Sequence, residues 1–217
     1  MEKKNVLNTQ SGFWSGPDGS KYTTQQNSMD HTKNFKYRYE SRKAFFDLFD
    51  EYDRDVTILE AGCGGGVNLK ILHDTMGFKN LTGIDICKTA ISEAEERLDL
   101  ATYCCGDMAS MPFEDGQFDI VFTSGVLVNV HPTQSLPIIM NEMYRCAKKA
   151  IIGREDYNNA IVAGKWRGRH DLYWKAPYAD LWLKNVKGLT AGFNSIHTVE
   201  GAPRQVYIFK KSDGIKS

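Results

Sequence analysis

A glycine-rich turn directly follows an apolar run in the first third of the chain. Residues 58–66 read ILEAGCGGG, and residues 67–76 carry apolar side chains at helical spacing before Gly77. Glycine has no Cβ, so its backbone can turn sharply and approach a ligand closely, while the free N–H groups of a following helix point at polar ligand atoms. The pattern predicts a strand that ends at a nucleotide-sized ligand.

Acidic residues stand at or after the ends of the next two apolar runs. Asp85 lies near the end of the run 81–86, 23 residues after Gly62, and Asp107 follows the run 101–105. A carboxylate at the tip of the second strand can accept hydrogen bonds from both hydroxyls of a ribose. Asp85 is therefore the candidate for a ribose contact.

Predicted strands and helices alternate through residue 153. The run 118–122 is almost continuously apolar, as expected of a central parallel strand buried on both faces, and 150–153 is the fifth strand. Helices are predicted over 67–76, 88–98 and 134–146, and a final strand pair over 189–196 and 204–210. This alternation predicts an α/β fold with a parallel sheet.

The spacing of the glycines distinguishes two kinds of nucleotide site. A dinucleotide-binding G-x-G-x-x-G turn would need glycine at position 67, where Val67 stands. The observed E-x-G-x-G-x-G, at Glu60, Gly62, Gly64 and Gly66, resembles the first motif of the class I S-adenosylmethionine-dependent methyltransferases. The resemblance implies a Rossmann-like, seven-stranded, mostly parallel sheet with helices on both faces, in a single domain over 1–217.

The same resemblance implies S-adenosylmethionine as the cofactor and a binding site at the strand ends. In that family, an acid in the place of Asp107 reaches the exocyclic amine of adenine, and the next residue, Met108, packs on the ring. Glu60 has a structural alternative, a hydrogen bond to nearby backbone. The residues assigned to cofactor binding are Trp14, Tyr22, Glu60, Gly62, Gly64, Asp85, Ile86, Asp107, Met108 and Ser124.

Residues 1–50 are predicted to form an N-terminal lid and a helix. Aromatic residues and turn formers alternate over 13–22, and a helix is predicted from about 34 to 49. An aromatic lid would exclude water and attract the sulfonium group through a cation–π interaction. The alternative is a segment that packs on the edge of the sheet.

Residues 154–185 are predicted to form an insertion on the substrate side. Tyr157 and Asn158 can hydrogen-bond a hydroxylated substrate, and Arg167 and Arg169 carry guanidinium groups suited to a carboxylate or phosphate. The alternative is a solvated basic loop anchored by Trp166.

Catalysis of methyl transfer needs aligned partners more than it needs reactive side chains. Holding donor and acceptor in line can supply about 7–11 kcal/mol of the barrier. A hydroxyl acceptor also benefits from a base, for which His131 is the first candidate and His170 the competitor, with Tyr157 as a third catalytic residue. Either histidine could instead be structural, since His131 precedes Pro132 and can shape the turn there.

Motifs outside the cofactor pattern narrow the resemblance. They are FWxGxxGxxY from Phe13, FTSGVL from Phe122, ExYN from Glu155 and RGxHD from Arg167. They resemble the pseudaminic acid biosynthesis-associated methylases, which implies a hydroxyl or amine of an acid sugar as the acceptor. Two alternatives stay open: a regulatory or partner subunit that binds S-adenosylmethionine without turnover, and a non-methylating S-adenosylmethionine enzyme.

Composition limits the partners. The 27 basic and 27 acidic residues give a net charge of zero, so nothing draws the chain toward nucleic acid or an anionic membrane. No apolar run approaches the roughly 20 residues that span a bilayer, and the N-terminus is polar, which predicts a cytoplasmic protein. The absence of NPPY after the fourth strand argues against methylation of DNA bases. A homodimer is left open.

The cysteines predict no metal site. The five cysteines include no C-x-x-C pair and mostly fall in or beside predicted core elements. Reduced, buried thiols are therefore expected.

Overall fold

A computed structural model describes residues 6–27 and 31–212. The predicted domain 1–217 and lid region 1–50 extend into residues 1–5, 28–30 and 213–217, which lie outside the described residues.

The strands are β1 Thr57–Ala61, β2 Asn80–Asp85, β3 Thr102–Cys105, β4 Phe118–Ser124, β5 Ala147–Asp156, β6 Val162–Ala163, β7 Trp174–Lys175, β8 Leu189–Val199 and β9 Ala202–Lys211. The α-helices are α1 Val6–Ser15, α2 Pro17–Asn27, α3 His31–Ser41, α4 Lys43–Phe46, α5 Val67–Asp74, α6 Lys88–Arg97, α7 Leu136–Cys146 and α8 Tyr178–Asn185.

Seven strands form one sheet in the order β3-β2-β1-β4-β5-β9-β8. The first five are parallel, whereas β9 runs antiparallel to both β5 and β8. The predicted seven-stranded, mostly parallel, Rossmann-like sheet is therefore confirmed. The strands β6 and β7 pair separately within the region 154–185.

Helices cover both faces of the sheet because alternate residues of each central strand point to opposite sides. Ile58, Ile120 and Phe122 belong to one hydrophobic cluster with α4 and α5, and Leu59 and Val121 belong to another with α7 and α8. Burial on both faces explains why β1 and β4 read as nearly continuous apolar runs in the sequence.

The prediction of one continuous helix over 34–49 is wrong. Helix α3 ends at Ser41, α4 occupies only Lys43–Phe46, and a short 3₁₀ turn follows over Asp47–Phe49. The break lies at Arg42, whose φ of −119° and ψ of 16° leave the helical range and whose side chain bonds to Asn68 instead. A local helical pattern carries no information about this tertiary contact.

The cysteines match the expectation only in part. Cys63, Cys87 and Cys146 are buried and Cys104 is half-buried, but Cys105 is exposed, and none of the five forms a disulfide within the described residues. Within 6–27 and 31–212, no three His, Cys, Asp or Glu residues lie together as a metal site would need. No helix of the described part combines the length and the apolar character needed to cross a membrane.

Candidate active site

A cavity of about 860 Å³ opens where the parallel strands end. Asp85, Ser124 and Asp156, the last residues of β2, β4 and β5, all line it. This volume is near the upper end of the usual range for ligand pockets, so it has room for a cofactor and a small second molecule. All ten residues predicted to bind the cofactor line it: Trp14, Tyr22, Glu60, Gly62, Gly64, Asp85, Ile86, Asp107, Met108 and Ser124.

The glycine-rich turn needs glycine for two reasons. Gly62 and Gly64 have φ angles of 76° and 52°, in the left-handed region that other residues avoid. A Cβ on Gly62 would also lie 2.5 Å from Cγ1 of Val126. The backbone N–H groups of Gly62 and Cys63 donate to the Ile84 carbonyl at 2.8 and 3.0 Å, which ties the turn to β2.

The Asp85 carboxylate is held in place by backbone. Its two oxygens accept hydrogen bonds from the N–H groups of Gly64 and Cys87, at 2.9 and 2.8 Å. Burial raises the pKa of Asp85, and these backbone bonds oppose that rise. Since each carboxylate oxygen can accept more than one hydrogen bond, both retain capacity toward the cavity.

Asp107 links the end of β3 to the N-terminal helices. Its carboxylate accepts from the Ala109 N–H at 2.8 Å and from the Ser11 hydroxyl at 3.2 Å. Ser11 itself lines the cavity, as does Met108. Helix α1 therefore contacts the site directly at the residue predicted to reach adenine.

Glu60 is linked through Asn68 to Arg42, and all three residues line the cavity. The Asn68 amide donates to Glu60 Oε1 at 2.6 Å, and the Arg42 guanidinium donates to Asn68 Oδ1 at 2.6 Å. Burial raises the pKa of Glu60 to about 8, opposed by Asn68, by Arg42 and by the backbone of Leu69. The structural alternative for Glu60 is thus partly realised, with a side-chain partner as well as backbone.

Five buried polar atoms of residues that line the cavity have no hydrogen-bond partner among the described residues. They are Trp14 Nε1, Glu60 Oε2, Ser124 Oγ, Ser135 Oγ and Arg204 Nη1, the last of which contacts Asp156 as an ion pair. A buried polar group without a partner costs about 1–3 kcal/mol, so such atoms are expected where a ligand supplies the partner. S-adenosylmethionine fits this site, because it carries donors and acceptors along its whole length and the carboxylates suit its hydroxyl and amine groups.

Aromatic residues from the N-terminal helices and from region 154–185 meet in one aromatic cluster, formed by Phe13, Trp14, Tyr22 and Trp166. Its ring centroids lie 5.1–5.9 Å apart, mostly edge to face. The Arg167 guanidinium lies 5.1 Å from the Tyr22 and Trp166 rings. Trp14, Tyr22 and Trp166 all line the cavity, so the two segments predicted to cover the site contact each other beside it.

The three residues predicted to be catalytic do not line the cavity. The centroids of the His131 and Trp174 rings lie 5.3 Å apart, in an edge-to-face arrangement. The backbone carbonyl of His131 accepts a hydrogen bond from the backbone N–H of Ser135, just before α7. The Tyr157 N–H donates to the Pro203 carbonyl at 3.0 Å, and His170 is exposed. Their catalytic roles stay predictions without support from their positions.

The three residues predicted to bind substrate are engaged elsewhere. Asn158 Oδ1 accepts from the Ala160 N–H at 3.0 Å, which closes a local turn. Arg169 makes a two-pronged contact with Asp171, at 3.0 and 2.7 Å. Arg167 lies over the aromatic cluster. None of the three lines the cavity.

Basic residues that the sequence did not single out line the cavity instead. They are Arg38, Arg42, Arg154, Lys165, Lys175 and Arg204. Asp156 lies among them, paired with Arg204 at 2.6 Å and accepting a hydrogen bond from the Tyr173 hydroxyl. The one available signal was the pair Arg154 and Asp156 at the end of the fifth strand, where ligands bind in α/β sheets.

Comparison with known proteins supports the fold and the cofactor. Residues 59–150 match the family model described as a methyltransferase domain. The chain is 27% identical over 161 residues to 2-methyl-6-phytyl-1,4-hydroquinone methyltransferase of Synechocystis, covering 67% of this chain and 47% of that protein. It is 36% identical over 70 residues to malonyl-[acyl-carrier protein] O-methyltransferase of Anoxybacillus flavithermus, covering 31% and 27%. The chain thus spans less than half the length of these curated relatives.

Solved structures share the whole fold at low identity. Magnesium protoporphyrin IX methyltransferase of Synechocystis with bound S-adenosylmethionine has a TM-score of 0.67 and 13% identity, with 97% of this chain and 99% of that chain covered. The 1,6-didemethyltoxoflavin-N1-methyltransferase of Burkholderia thailandensis has a TM-score of 0.65 and 15% identity, with 88% of each chain covered. Residues 59–150 thus resemble a methyltransferase domain, and the chain has the fold of the class I S-adenosylmethionine-dependent methyltransferases.

Proposed function

We propose that the protein transfers the methyl group of S-adenosylmethionine to a small-molecule acceptor. The observation that carries this proposal is the cavity itself, which gathers all ten predicted cofactor residues and continues past them into a basic region. The names of the 2-methyl-6-phytyl-1,4-hydroquinone methyltransferase and the 1,6-didemethyltoxoflavin-N1-methyltransferase refer to small molecules, which supports an acceptor of that kind.

The residues divide into two groups along the cavity. In the proposed complex, Asp85 accepts hydrogen bonds from the ribose and Asp107 from the adenine amine, while the turn 62–66 brings backbone close to the cofactor. When bound, S-adenosylmethionine supplies a methyl group on a positively charged sulfur. The chain contributes position and the exclusion of water, which are the main requirements of in-line displacement.

The acceptor atom is proposed to be a hydroxyl or an amine, and a proton must leave it as the methyl group arrives. Among the described residues that line the cavity, Asp156 is the carboxylate within the basic region. Tyr173 and Arg204 hold it, so its orientation is defined. We propose Asp156 as the proton acceptor in place of His131, Tyr157 or His170, because none of those three residues lines the cavity.

We propose an acid sugar as the acceptor, because the sequence resembles the pseudaminic acid biosynthesis-associated methylases. The basic residues of the cavity support an acidic acceptor without identifying the sugar. A homodimer and a cytoplasmic location are further proposals, which the described residues do not test.

Calorimetric titration with S-adenosylmethionine and S-adenosylhomocysteine tests the proposal. We expect the intact protein to bind both and Asp85→Ala to bind about 100-fold more weakly, because two hydrogen bonds to a carboxylate, at about 1.5 kcal/mol each, contribute about 3 kcal/mol. The matched control is Asp119→Ala, which removes a carboxylate that accepts a backbone N–H from Thr57 at 3.0 Å but lies outside the cavity lining.

Turnover separates the enzyme from the non-catalytic alternative. The protein is incubated with S-adenosylmethionine and a panel of neutral and acidic sugars, and S-adenosylhomocysteine is quantified. Release that depends on an acceptor supports methyl transfer. Tight cofactor binding without release from any acceptor would favour a regulatory subunit, and an absence of binding in the intact protein would overturn the proposal.

A further inference from the structure

We infer that an arginine cluster, formed by Arg38, Arg42, Arg154 and Arg204, binds an anionic group of the methyl acceptor, a carboxylate or a phosphate. The inference rests on the proposed methyl transfer and specifies the chemistry of its second substrate. Its basis is the placement of four guanidinium groups along one cavity and the scarcity of acidic partners for them.

The cluster is assembled from distant parts of the chain. Arg38 lies in α3, Arg42 follows that helix directly, Arg154 lies in β5 and Arg204 in β9. The antiparallel register of β5 and β9 sets Asp156 opposite Arg204, and Arg154 lies two residues before Asp156 on the same face. In the parallel register, Arg154 also pairs with Ser124 of β4, whose hydroxyl lines the cavity.

Only one member of the arginine cluster is paired with a carboxylate at close range. Arg204 contacts Asp156 at 2.6 Å, whereas Arg42 donates to the neutral amide of Asn68. The backbone carbonyls of Arg38 and Arg154 accept hydrogen bonds from Ser41 and Gly125, but no hydrogen bond or close ion pair of their guanidinium groups is found among the described residues. The cavity wall therefore carries more positive than negative charge at this end.

Burial makes that excess charge costly. Arg154 is only 9% exposed. Three carboxylates, those of Glu155, Asp156 and Glu200, attract Arg154 only at longer range, since none forms a close ion pair with it. Glu155 is engaged by the backbone N–H groups of Val126 and Val128, and Asp156 is paired with Arg204. Burying a charge without a close partner costs several kcal/mol, and a bound anion would offset this cost.

The guanidinium groups also repel one another and any second cation. The pKa of Arg42 falls to about 9, first because of burial and then because of Arg154 and Arg38. A sulfonium in the same cavity experiences the same positive field. An anionic acceptor would neutralise that field while guanidinium groups bind it in a two-pronged geometry, which suits carboxylate and phosphate alike.

The arginine cluster takes the role that the sequence assigned to Arg167 and Arg169. Arg169 is already neutralised by Asp171, and Arg167 lies over the aromatic cluster. Three members, Arg42, Arg154 and Arg204, also line a second cavity of about 400 Å³. Arg38 lines the first cavity but is absent from the lining of the second, so it distinguishes the two locations.

The test measures thermal unfolding of the full-length protein saturated with S-adenosylhomocysteine. The probes are inorganic phosphate and glucuronate. The control for phosphate is sodium chloride at equal ionic strength, and the control for glucuronate is uncharged glucose together with sodium chloride at equal ionic strength. We expect phosphate or glucuronate to raise the melting temperature above its control. The phosphate and glucuronate arms decide which anion the site prefers.

Variants show which residues the anion-dependent rise in melting temperature depends on. We expect Arg154→Gln and Arg38→Gln to reduce the anion-dependent rise at least three-fold and to bind S-adenosylhomocysteine within about two-fold of the intact protein. The matched control is Arg54→Gln, which removes a guanidinium that pairs with Asp50 and lines neither cavity. A rise lost in Arg154→Gln but kept in Arg38→Gln would move the anion to the second cavity and overturn the inference.

The two proposals fail in different ways. Normal S-adenosylhomocysteine binding with no anion effect, or with an equal effect in every variant, would overturn the anion site and leave methyl transfer standing. Failure of the intact protein to bind S-adenosylhomocysteine would overturn methyl transfer. In that case the anion titrations, repeated without S-adenosylhomocysteine, still decide whether the arginine cluster binds an anion.

Discussion

The cavity joins two ends that are built differently. At the cofactor end, backbone turns and the carboxylates of Asp85 and Asp107 line the wall, and each carboxylate is held by N–H groups within two residues or across a neighbouring turn. At the proposed acceptor end, arginines from two strands and the region around α3 line the wall. Backbone N–H groups thus hold the carboxylates of one end, whereas long side chains from distant elements form the other.

The difference has a physical consequence. Backbone groups at the cofactor end are fixed by the sheet, so a ligand there meets preorganised partners. Long charged side chains at the acceptor end have more rotamers and repel one another, so a ligand there must order them. We therefore expect changes at the cofactor end to have larger effects on binding than changes at the other end.

The largest effect is expected from Gly62→Ala. Its φ of 76° disfavours any side chain, and the new Cβ would lie 2.5 Å from Cγ1 of Val126. The turn must shift, so we expect calorimetry to show about a 100-fold loss of S-adenosylhomocysteine affinity, equivalent to about 2.7 kcal/mol. The matched control is Gly77→Ala, which has a similar φ of 80° but open space around its Cβ. Equal affinities in both variants would refute a preorganised cofactor end.

The contrast between the two ends also explains what the sequence could reveal. The cofactor end depends on residues close together along the chain, such as Glu60 to Gly64 and Asp107 with Met108, so a short pattern identifies it. The alternation of apolar runs and helices likewise predicted a parallel sheet, but it did not specify the order of the strands in that sheet. The residue types of the cofactor end could be predicted because the backbone conformation itself requires them.

The acceptor end could not be predicted in this way. Arg38 and Arg204 are separated by most of the chain, and each looks like an ordinary residue of a helix or a strand. Only the register of β5 with β9 and the break after α3 bring them to one wall. The prediction chose Arg167 and Arg169 because they are clustered in sequence, but that clustering reflects a loop whose charges find other partners.

The second prediction concerns Glu60, which joins the two ends through Asn68 and Arg42. Its pKa rises from 4.5 to about 8 in the folded chain. Between these values the folded chain holds a proton that the unfolded chain has lost, so stability falls as pH rises, by up to about 1.4 kcal/mol per pH unit. We expect Glu60→Gln to lose this part of the pH dependence, measured by urea unfolding at pH 5 to 8.

The matched control for Glu60→Gln is Glu142→Gln. Arg145 lowers the pKa of Glu142, so its contribution to stability is present above the usual carboxyl pKa and is lost on acidification. Glu142→Gln should therefore leave the slope of stability between pH 5 and 8 unchanged, because Glu142 is ionised in the folded and the unfolded chain over this range. A Glu60→Gln curve parallel to that of the intact protein would mean that this carboxyl does not connect the ends as a buried, protonated group.

The smallest effect is expected from Trp166→Leu, which tests whether region 154–185 closes the cofactor end. Trp166 packs on Phe13, Trp14 and Tyr22 at 5.9, 5.6 and 5.3 Å. Aromatic pairs contribute about 0.5–1.5 kcal/mol beyond burial, so we expect S-adenosylhomocysteine to bind about five-fold more weakly, mainly through faster dissociation in stopped-flow measurements. The control is Phe193→Leu, an exposed aromatic on β8. If the dissociation rate of S-adenosylhomocysteine is unchanged in Trp166→Leu, the aromatic cluster stabilises the packing of the N-terminal helices without covering the cofactor. Region 154–185 would then not close the cofactor end of the cavity.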